Sequence, residues 1–164
     1  MLWKLKEPLE RVGRDTRRHY DEISGVPGYF YDLADELGKQ YRGEVIAKDK
    51  LRDLSKKIGG KIVRSDLGQL YFQEEGRGAF HLLTVATGVA NLGFLAMLVE
   101  RKVIDKNTFL FIDEPEAHLH PKWQMEMAEL LFTLAKEGVH VVIATHAVDI
   151  LKWLEVRVLS LIHI

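Results

Sequence analysis

The chain has 164 residues, which allows one domain or part of one. Apolar residues make up 47% and charged residues 29%, proportions that exclude a disordered or low-complexity protein. The net charge of −1 gives no overall attraction to nucleic acid or to a membrane surface. The lack of cysteine excludes a disulfide scaffold, a thiolate zinc site and a cysteine nucleophile, and it is compatible with a cytoplasmic protein.

Charge is distributed unevenly along the chain. Residues 1–78 carry 30 charged side chains, whereas residues 79–164 carry 17. We therefore expect the first part to be largely solvated and the second part to hold most of the core. Residues 79–99 contain no Asp, Glu, Lys or Arg and are long enough to span a bilayer. Polar residues and glycines dilute this run, so we expect a buried segment of a globular protein and no membrane insertion.

The first part of the chain is predicted to be mostly helical. The spacing of apolar residues predicts three helices, over residues 2–23, 29–41 and 47–58, with a turn at 24–28. Gly59 and Gly60 end the third helix. Two short strands, 61–64 and 69–73, then form a hairpin around residues 65–68, and another turn follows at 74–78.

From residue 87 onward, strands alternate with helices. Residues 87–101 form an almost wholly apolar helix, and residues 108–112 form an apolar strand of the kind that is covered on both faces. Residues 121–137 form a helix that Gly138 ends. One side of this helix is predicted to be apolar: Met125, Ala128, Leu131, Phe132 and Ala135.

A second apolar strand is predicted over residues 139–144, followed by a helix over 147–154. Residues 156–161 form either a third strand or a continuation of that helix. A strand, a helix and a strand with short connections make a βαβ unit, whose strands are parallel and whose crossover is right-handed. The sequence thus predicts an α/β fold with a parallel βαβ core and a helical N-terminal segment.

Acidic residues and a histidine follow the two predicted parallel strands. The carboxyl ends of such strands meet at one edge of the sheet, which is where open α/β sheets bind ligands. Asp113 at the tip of the first strand is placed to hold a hydrated Mg²⁺ that bridges nucleotide phosphates. Glu114 points differently and is free to orient or deprotonate a water. Thr145 and His146 follow the second strand at the same edge.

The string Asp113–Pro121, DEPEAHLHP, resembles the Walker B motif and D-loop of ABC-type ATPases, particularly the RecF/SMC-like and OLD-like AAA group. The segment Ala144–His146 resembles the switch-histidine segment of that family, and His146 lies 32 positions after Glu114. The resemblance implies a P-loop NTPase fold in which Glu114 polarises water and His146 contacts the γ-phosphate. It also assigns five residues to the D-loop: Glu116, Ala117, His118, Leu119 and His120.

Residues 84–91 occupy the place of the family's signature, a turn that opens a helix. Backbone N–H groups at a helix N-terminus bind anions, Thr87 is able to cap the helix, and Gly88 allows close approach. In the family this element binds the nucleotide of the partner in a dimer. Thr87 replaces the usual Ser and Val89 replaces the usual Glu, and an ordinary Thr cap on a buried helix is the alternative interpretation.

The sequence contains no Gly-x-x-x-x-Gly-Lys-Ser/Thr phosphate loop. We therefore expect a charged helical arm over residues 1–58, and the C-terminal half of an ABC-type ATPase domain over residues 59–164. Such a chain would be the incomplete part of a longer ATPase and inactive alone. The resemblance implies ATP and Mg²⁺ as cofactors and a homodimer or a partner ATPase subunit.

Three alternatives remain open. Glu116, His118 and His120 resemble a small metal cluster, since imidazoles and carboxylates suit Zn²⁺. The basic residues between Trp3 and Arg18 suit phosphate contacts, although interspersed acidic residues favour a solvated helix face, so DNA binding is an expectation from the family alone. In the third alternative, the chain is a non-catalytic module that docks on a full ATPase through its helical first 58 residues.

Overall fold

The computed structural model describes residues 36–39, 41–65 and 69–162. The helices are α1 (Lys48–Ile58), α2 (Thr87–Glu100), α3 (Pro121–Lys136) and α4 (Val148–Ile162). The strands are β1 (Gly60–Arg64), β2 (Leu70–Glu74), β3 (Gly78–His81), β4 (Phe109–Asp113) and β5 (His140–Ala144). The predicted helix at 2–23, the turn at 24–28, the basic stretch between Trp3 and Arg18 and most of the predicted helix at 29–41 lie outside the described residues.

Helix α1 confirms the third predicted helix and joins the core. Gly59 ends it in the left-handed conformation, with φ of 76°, and its N–H donates to the Lys56 carbonyl. Leu51 and Leu54 are buried in the same cluster as residues of α2 and α3. The charged side chains of this helix are mostly exposed, while its apolar face packs in the core; the charged helical arm over residues 1–58 stays a prediction. The division of the chain at residue 58 stays a prediction.

Strands β1, β2 and β3 form an antiparallel sheet in that order. The β1–β2 pairing, which places Ile62 opposite Phe72, confirms the predicted hairpin. Strand β3 was not predicted, and it places Phe80 opposite Phe72 with 42% of Phe80 exposed. The uncharged run at 79–99 is thus not one buried segment, because its first residues form an edge strand.

Helix α2 lies between two apolar clusters. Leu92, Leu95 and Val99 pack in the larger cluster with residues of α1 and α3. Met97 packs in the smaller cluster with Phe72 of the antiparallel sheet. The helix is apolar around most of its circumference, as the sequence predicted, and it is therefore able to pack in both clusters.

Strands β4 and β5 pair in parallel, which confirms the predicted βαβ core of an α/β fold. Their inner face packs against the larger cluster through Leu110, Ile112, Val141 and Ile143. Their outer face is open: Phe109 is 66% and Phe111 71% exposed. The expectation of strands covered on both faces is therefore wrong within the described residues, because no described element packs on the outer face.

Helix α3 packs in the larger cluster, and helix α4 packs against α3. The buried residues of α3 are Met127, Ala128, Leu130, Leu131 and Leu134. The predicted apolar side is therefore rotated, and Ala135 is exposed. Helix α4 runs without interruption to Ile162, so the continuation was the correct alternative at 156–161. Among the described residues, no helix has both the length and the apolar character needed to cross a membrane.

Ion pairs connect α1 to α3. The Lys50 Nζ lies 2.9 Å from Glu126 Oε2, and the Lys57 Nζ lies 2.8 Å from Glu126 Oε1. The side chains of Lys50 and Glu126 are only 9% and 12% exposed, so solvent screens their pair weakly. Burial acts to raise the pKa of the Glu126 carboxyl, but the hydrogen bonds from Lys57 and Lys50 outweigh it and hold that pKa below 4.5.

A pH-dependent contribution to stability follows from Glu126. Because its pKa is lower in the folded state, its contribution is present above pH 4.5 and is lost as the pH falls through the folded-state value. Glu126→Gln is expected to lower the free energy of unfolding at pH 7 by about 1–3 kcal/mol and to flatten its decline in acid. Urea unfolding at several pH values measures both effects. Glu155→Gln, on an exposed position of α4, is the matched control, and parallel acid declines of wild type and E126Q would contradict the assignment.

Candidate functional site

The candidate site lies where β4 and β5 end. Asp113 pairs with Ala144, and the Glu114 N–H donates to the Ala144 carbonyl at 2.7 Å, which extends the pairing by one residue. Glu114 then has φ of 48°, a left-handed conformation that is uncommon outside glycine. Residues in such a conformation are held there by surrounding contacts, and they occur frequently at functional sites. The chain turns sharply here, and the buried Pro115 follows.

The sharp turn brings Glu114 to His146. The Glu114 Oε1 lies 3.9 Å from the His146 Nε2, which is within ion-pair distance when the ring is protonated. Both side chains are open to solvent, with 54% of Glu114 and 92% of His146 exposed, and Asp113 is exposed beside them. The structure therefore brings Glu114 and His146 together at this edge, and Asp113 is the residue before Glu114 at the tip of β4.

The segment predicted to be the D-loop, which keeps that label below, contains two consecutive turns. The Ala117 N–H donates to the Glu114 carbonyl at 2.9 Å, and the Leu119 N–H donates to the Glu116 carbonyl at 3.0 Å. Leu119 is buried, whereas His118, with φ of 63°, is exposed. This loop connects the tip of β4 to the start of α3.

The two histidines of the D-loop lie in different local structures, His118 in a turn and His120 at the start of α3. His120 is the N-cap of α3, and its Nδ1 accepts a hydrogen bond from the Lys122 N–H at 3.3 Å. Across residues 36–39, 41–65 and 69–162, no three His, Asp or Glu side chains are grouped closely enough to hold a metal ion. The structure gives the metal interpretation no support in this part of the chain.

Glu116 connects the D-loop to the segment after β5. Its Oε1 accepts hydrogen bonds from the Thr145 Oγ1 at 2.6 Å and from the His146 and Ala147 N–H groups, both at 3.1 Å. Burial acts to raise the pKa of this carboxyl, but the hydrogen bonds from Thr145 and from the backbone lower the pKa below its usual value. The sequence placed Glu116 in the D-loop but carried no signal for these contacts, which join residues about thirty positions apart.

The predicted signature lies at the start of α2. Thr87 is the first helical residue and is exposed; the N-cap is Ala86, and no side chain caps the helix. The expectation that Thr87 caps the helix is therefore wrong. Gly88 is buried against the D-loop: a Cβ at this position would lie 2.7 Å from the His118 carbonyl oxygen. The roles of Thr87 and Gly88 towards a nucleotide stay predictions.

Comparison with known proteins identifies the family. The family described as "AAA domain, putative AbiEii toxin, Type IV TA system" matches residues 4–151. The chain belongs to this AAA domain family. The match covers most of the AAA domain described above, including the D-loop and the segment after β5.

Two curated proteins resemble shorter parts of this AAA domain. The Old nuclease of Escherichia phage P2 is 47% identical over 46 residues, which is 28% of this chain and 8% of that nuclease. The energy-coupling factor transporter ATP-binding protein EcfA2 of Mesomycoplasma hyopneumoniae is 44% identical over 45 residues, 27% of this chain and 15% of that protein. The chain thus matches only a small part of each relative's length. Together the matches support a P-loop ATPase family of the AAA or ABC type.

The contact between α2 and the D-loop predicts that Gly88 does not tolerate a side chain. In Gly88→Ala the new Cβ would also meet the Leu119 Cδ2 at 2.7 Å, so the D-loop backbone must move. We expect the free energy of unfolding to fall by about 1–3 kcal/mol and the amide resonances of residues 116–120 to shift. Urea unfolding and two-dimensional NMR measure these changes.

Gly38→Ala is the matched control, since among the described residues a Cβ there meets only the Arg64 guanidinium, at an ordinary distance of 3.8 Å. Equal effects of the two glycine substitutions would show that the D-loop contact is not tight.

Proposed function

We propose that this AAA domain takes part in Mg²⁺-dependent ATP binding and hydrolysis, as a member of the RecF/SMC- and OLD-like group. The observation that carries the proposal is the 3.9 Å approach of Glu114 and His146, at the shared carboxyl edge of two parallel strands. Family membership supplies the P-loop ATPase context for this geometry. The residues at the edge then take distinct roles.

Asp113 is the proposed Mg²⁺ ligand. Its carboxylate is exposed at the tip of β4, and an oxygen ligand of this kind suits a cation that keeps several of its waters. The donor chemistry therefore fits Mg²⁺. When bound, the ion neutralises charge on the β- and γ-phosphates.

Glu114 is the proposed general base. Its left-handed backbone turns its side chain away from the direction of the strand and towards His146, where it is open to solvent and able to orient an attacking water. His146 is proposed to contact the γ-phosphate. Its ring is almost fully exposed, so it is accessible to a ligand.

A second copy of the domain, or a partner ATPase subunit, is proposed to complete the nucleotide site. Thr87 is exposed at the start of α2, and the first turn of that helix has neither a capping side chain nor an acidic residue. Uncapped N–H groups at a helix N-terminus attract phosphate. Gly88 contributes to this role by allowing α2 to lie close to the D-loop. We place the ATPase in the cytoplasm, and DNA binding is an expectation from the family alone.

Weak nucleotide binding by the 164-residue chain alone is the first expectation of this proposal. The sequence has no phosphate-loop motif, and a phosphate loop supplies backbone amides and a Lys to the β- and γ-phosphates. Calorimetric titration with Mg·ATP is expected to show affinity weaker than micromolar. NMR shifts at millimolar Mg·ATP are expected to be confined to residues 113–116 and 145–147, and Asp113→Asn should remove their Mg²⁺ dependence. Micromolar binding would overturn this expectation.

Loss of turnover on removal of the base is the second expectation. In an assembly of this chain that hydrolyses ATP, Glu114→Gln is expected to lower kcat by about 10²–10⁴-fold with little change in nucleotide affinity. Steady-state phosphate release measures kcat, and Glu137→Gln, at the exposed end of α3, is the control. Unchanged turnover in E114Q would contradict the catalytic assignment and favour a non-catalytic module docked on a full ATPase.

A further inference from the structure

Three donors of the segment after β5 converge on one oxygen of Glu116. Thr145 Oγ1, the His146 N–H and the Ala147 N–H all donate to Glu116 Oε1, at 2.6, 3.1 and 3.1 Å. Hydrogen bonds to an ionised carboxylate are stronger than those between neutral groups. Because all three donors are adjacent in sequence, the contact constrains the backbone of this segment rather than a single side chain.

The segment has few other constraints. Residues 145–147 lie beyond the last paired residue of β5 and before the first residue of α4. Within it, the Ala147 N–H also donates to Thr145 Oγ1 at 3.0 Å, and the Ala147 carbonyl accepts from the Leu151 N–H at 3.2 Å. The carboxylate therefore lies next to the N-terminal end of α4, where the helix dipole favours a negative charge.

The hydrogen bond to the His146 N–H fixes the backbone position from which the His146 side chain extends. The ring is 92% exposed, and it approaches the Glu114 carboxylate at 3.9 Å. The side chain itself is therefore weakly held, while its backbone N–H is fixed by Glu116. Glu116 in turn lies two residues after Glu114, in the same pair of turns.

The second carboxylate oxygen of Glu116 faces the interior of the protein. Its Oε2 is buried and has no hydrogen-bond partner in the part of the chain that the structure describes. The carboxylate is thus turned inward, towards the junction of the two loops, and is not a solvated surface group. This distinguishes it from the neighbouring Glu114, which is open to solvent.

We propose that Glu116 is a positioning residue, whose carboxylate ties the D-loop to residues 145–147 and thereby sets the placement of His146 relative to Glu114. The part of this proposal that concerns hydrolysis rests on the proposed function, whereas the part that concerns the order of the backbone at residues 145–147 does not. Glu116 itself is not assigned contact with the nucleotide.

Amide hydrogen exchange on the 164-residue chain tests the structural part. In Glu116→Ala, the exchange protection of the His146 and Ala147 amides is expected to fall by at least about tenfold, as for the loss of charge-assisted hydrogen bonds. The Leu131 amide in the core of α3 should keep its protection. Glu137→Ala, which removes an exposed carboxylate from the end of α3, should change neither. Unchanged protection at 146 and 147, or an equal loss at Leu131 in a folded variant, would overturn the proposal.

Glu116→Gln keeps an acceptor oxygen but removes the charge. If E116A does not fold, this variant tests whether Glu116 holds the backbone of residues 145–147. A fall in protection at 146 and 147 relative to the wild-type chain, with Leu131 unchanged, is the expected result. No change at these two amides in E116Q, together with an unfolded E116A, would assign Glu116 to global stability and overturn its positioning role.

Turnover separates this proposal from the proposed function. In an assembly that hydrolyses ATP, E116A is expected to lower kcat by about tenfold or more with a smaller change in KM, and to have little further effect in a His146→Ala background. If E114Q abolishes turnover and E116A does not affect it, the positioning role in hydrolysis is wrong and the proposed function stands. If the exchange result is obtained but E114Q leaves turnover unchanged, the positioning of the backbone stands and the proposed function is wrong.

Discussion

The parallel, in-register pairing of β4 with β5 is the constraint on which the candidate site depends. With Asp113 opposite Ala144, both strands end at the same level of the sheet. The segments that follow therefore emerge side by side, although they are about thirty residues apart in sequence. A shift of one residue in this pairing would turn alternate side chains to the opposite face and separate Glu114 from His146.

Contacts around this pairing join the functional segments into one unit. The start of α2 lies against the D-loop at Gly88, and the D-loop is tied by Glu116 to the segment that carries His146. The ion pairs of Glu126 connect α1 to α3, the helix that follows the D-loop. Each of these segments is therefore in direct contact with another of them. This is the physical basis for assigning Glu116 a positioning role in a proposed ATPase.

Local patterns predicted much of the secondary structure, and they failed where burial depends on neighbours. The helix at α1, the β1–β2 hairpin and the parallel strands followed from apolar spacing and from glycines at element ends. Strand β3 was missed, and the apolar side of α3 was rotated, because spacing alone does not say which neighbours an element meets. The same limit explains Phe109 and Phe111: an apolar strand suits burial, but cover on each face has to come from another element.

The sequence by itself determined which residues follow the two parallel strands, and therefore that Glu114 and His146 lie at one edge. It was able to do so because strand direction and side-chain alternation are local properties that fix where the ends of parallel strands lie. Only the tertiary structure decided that Glu116 accepts three hydrogen bonds from residues 145–147, and that Gly88 leaves room for the D-loop. These contacts depend on distances between segments far apart in sequence, and no periodicity in the chain records such distances.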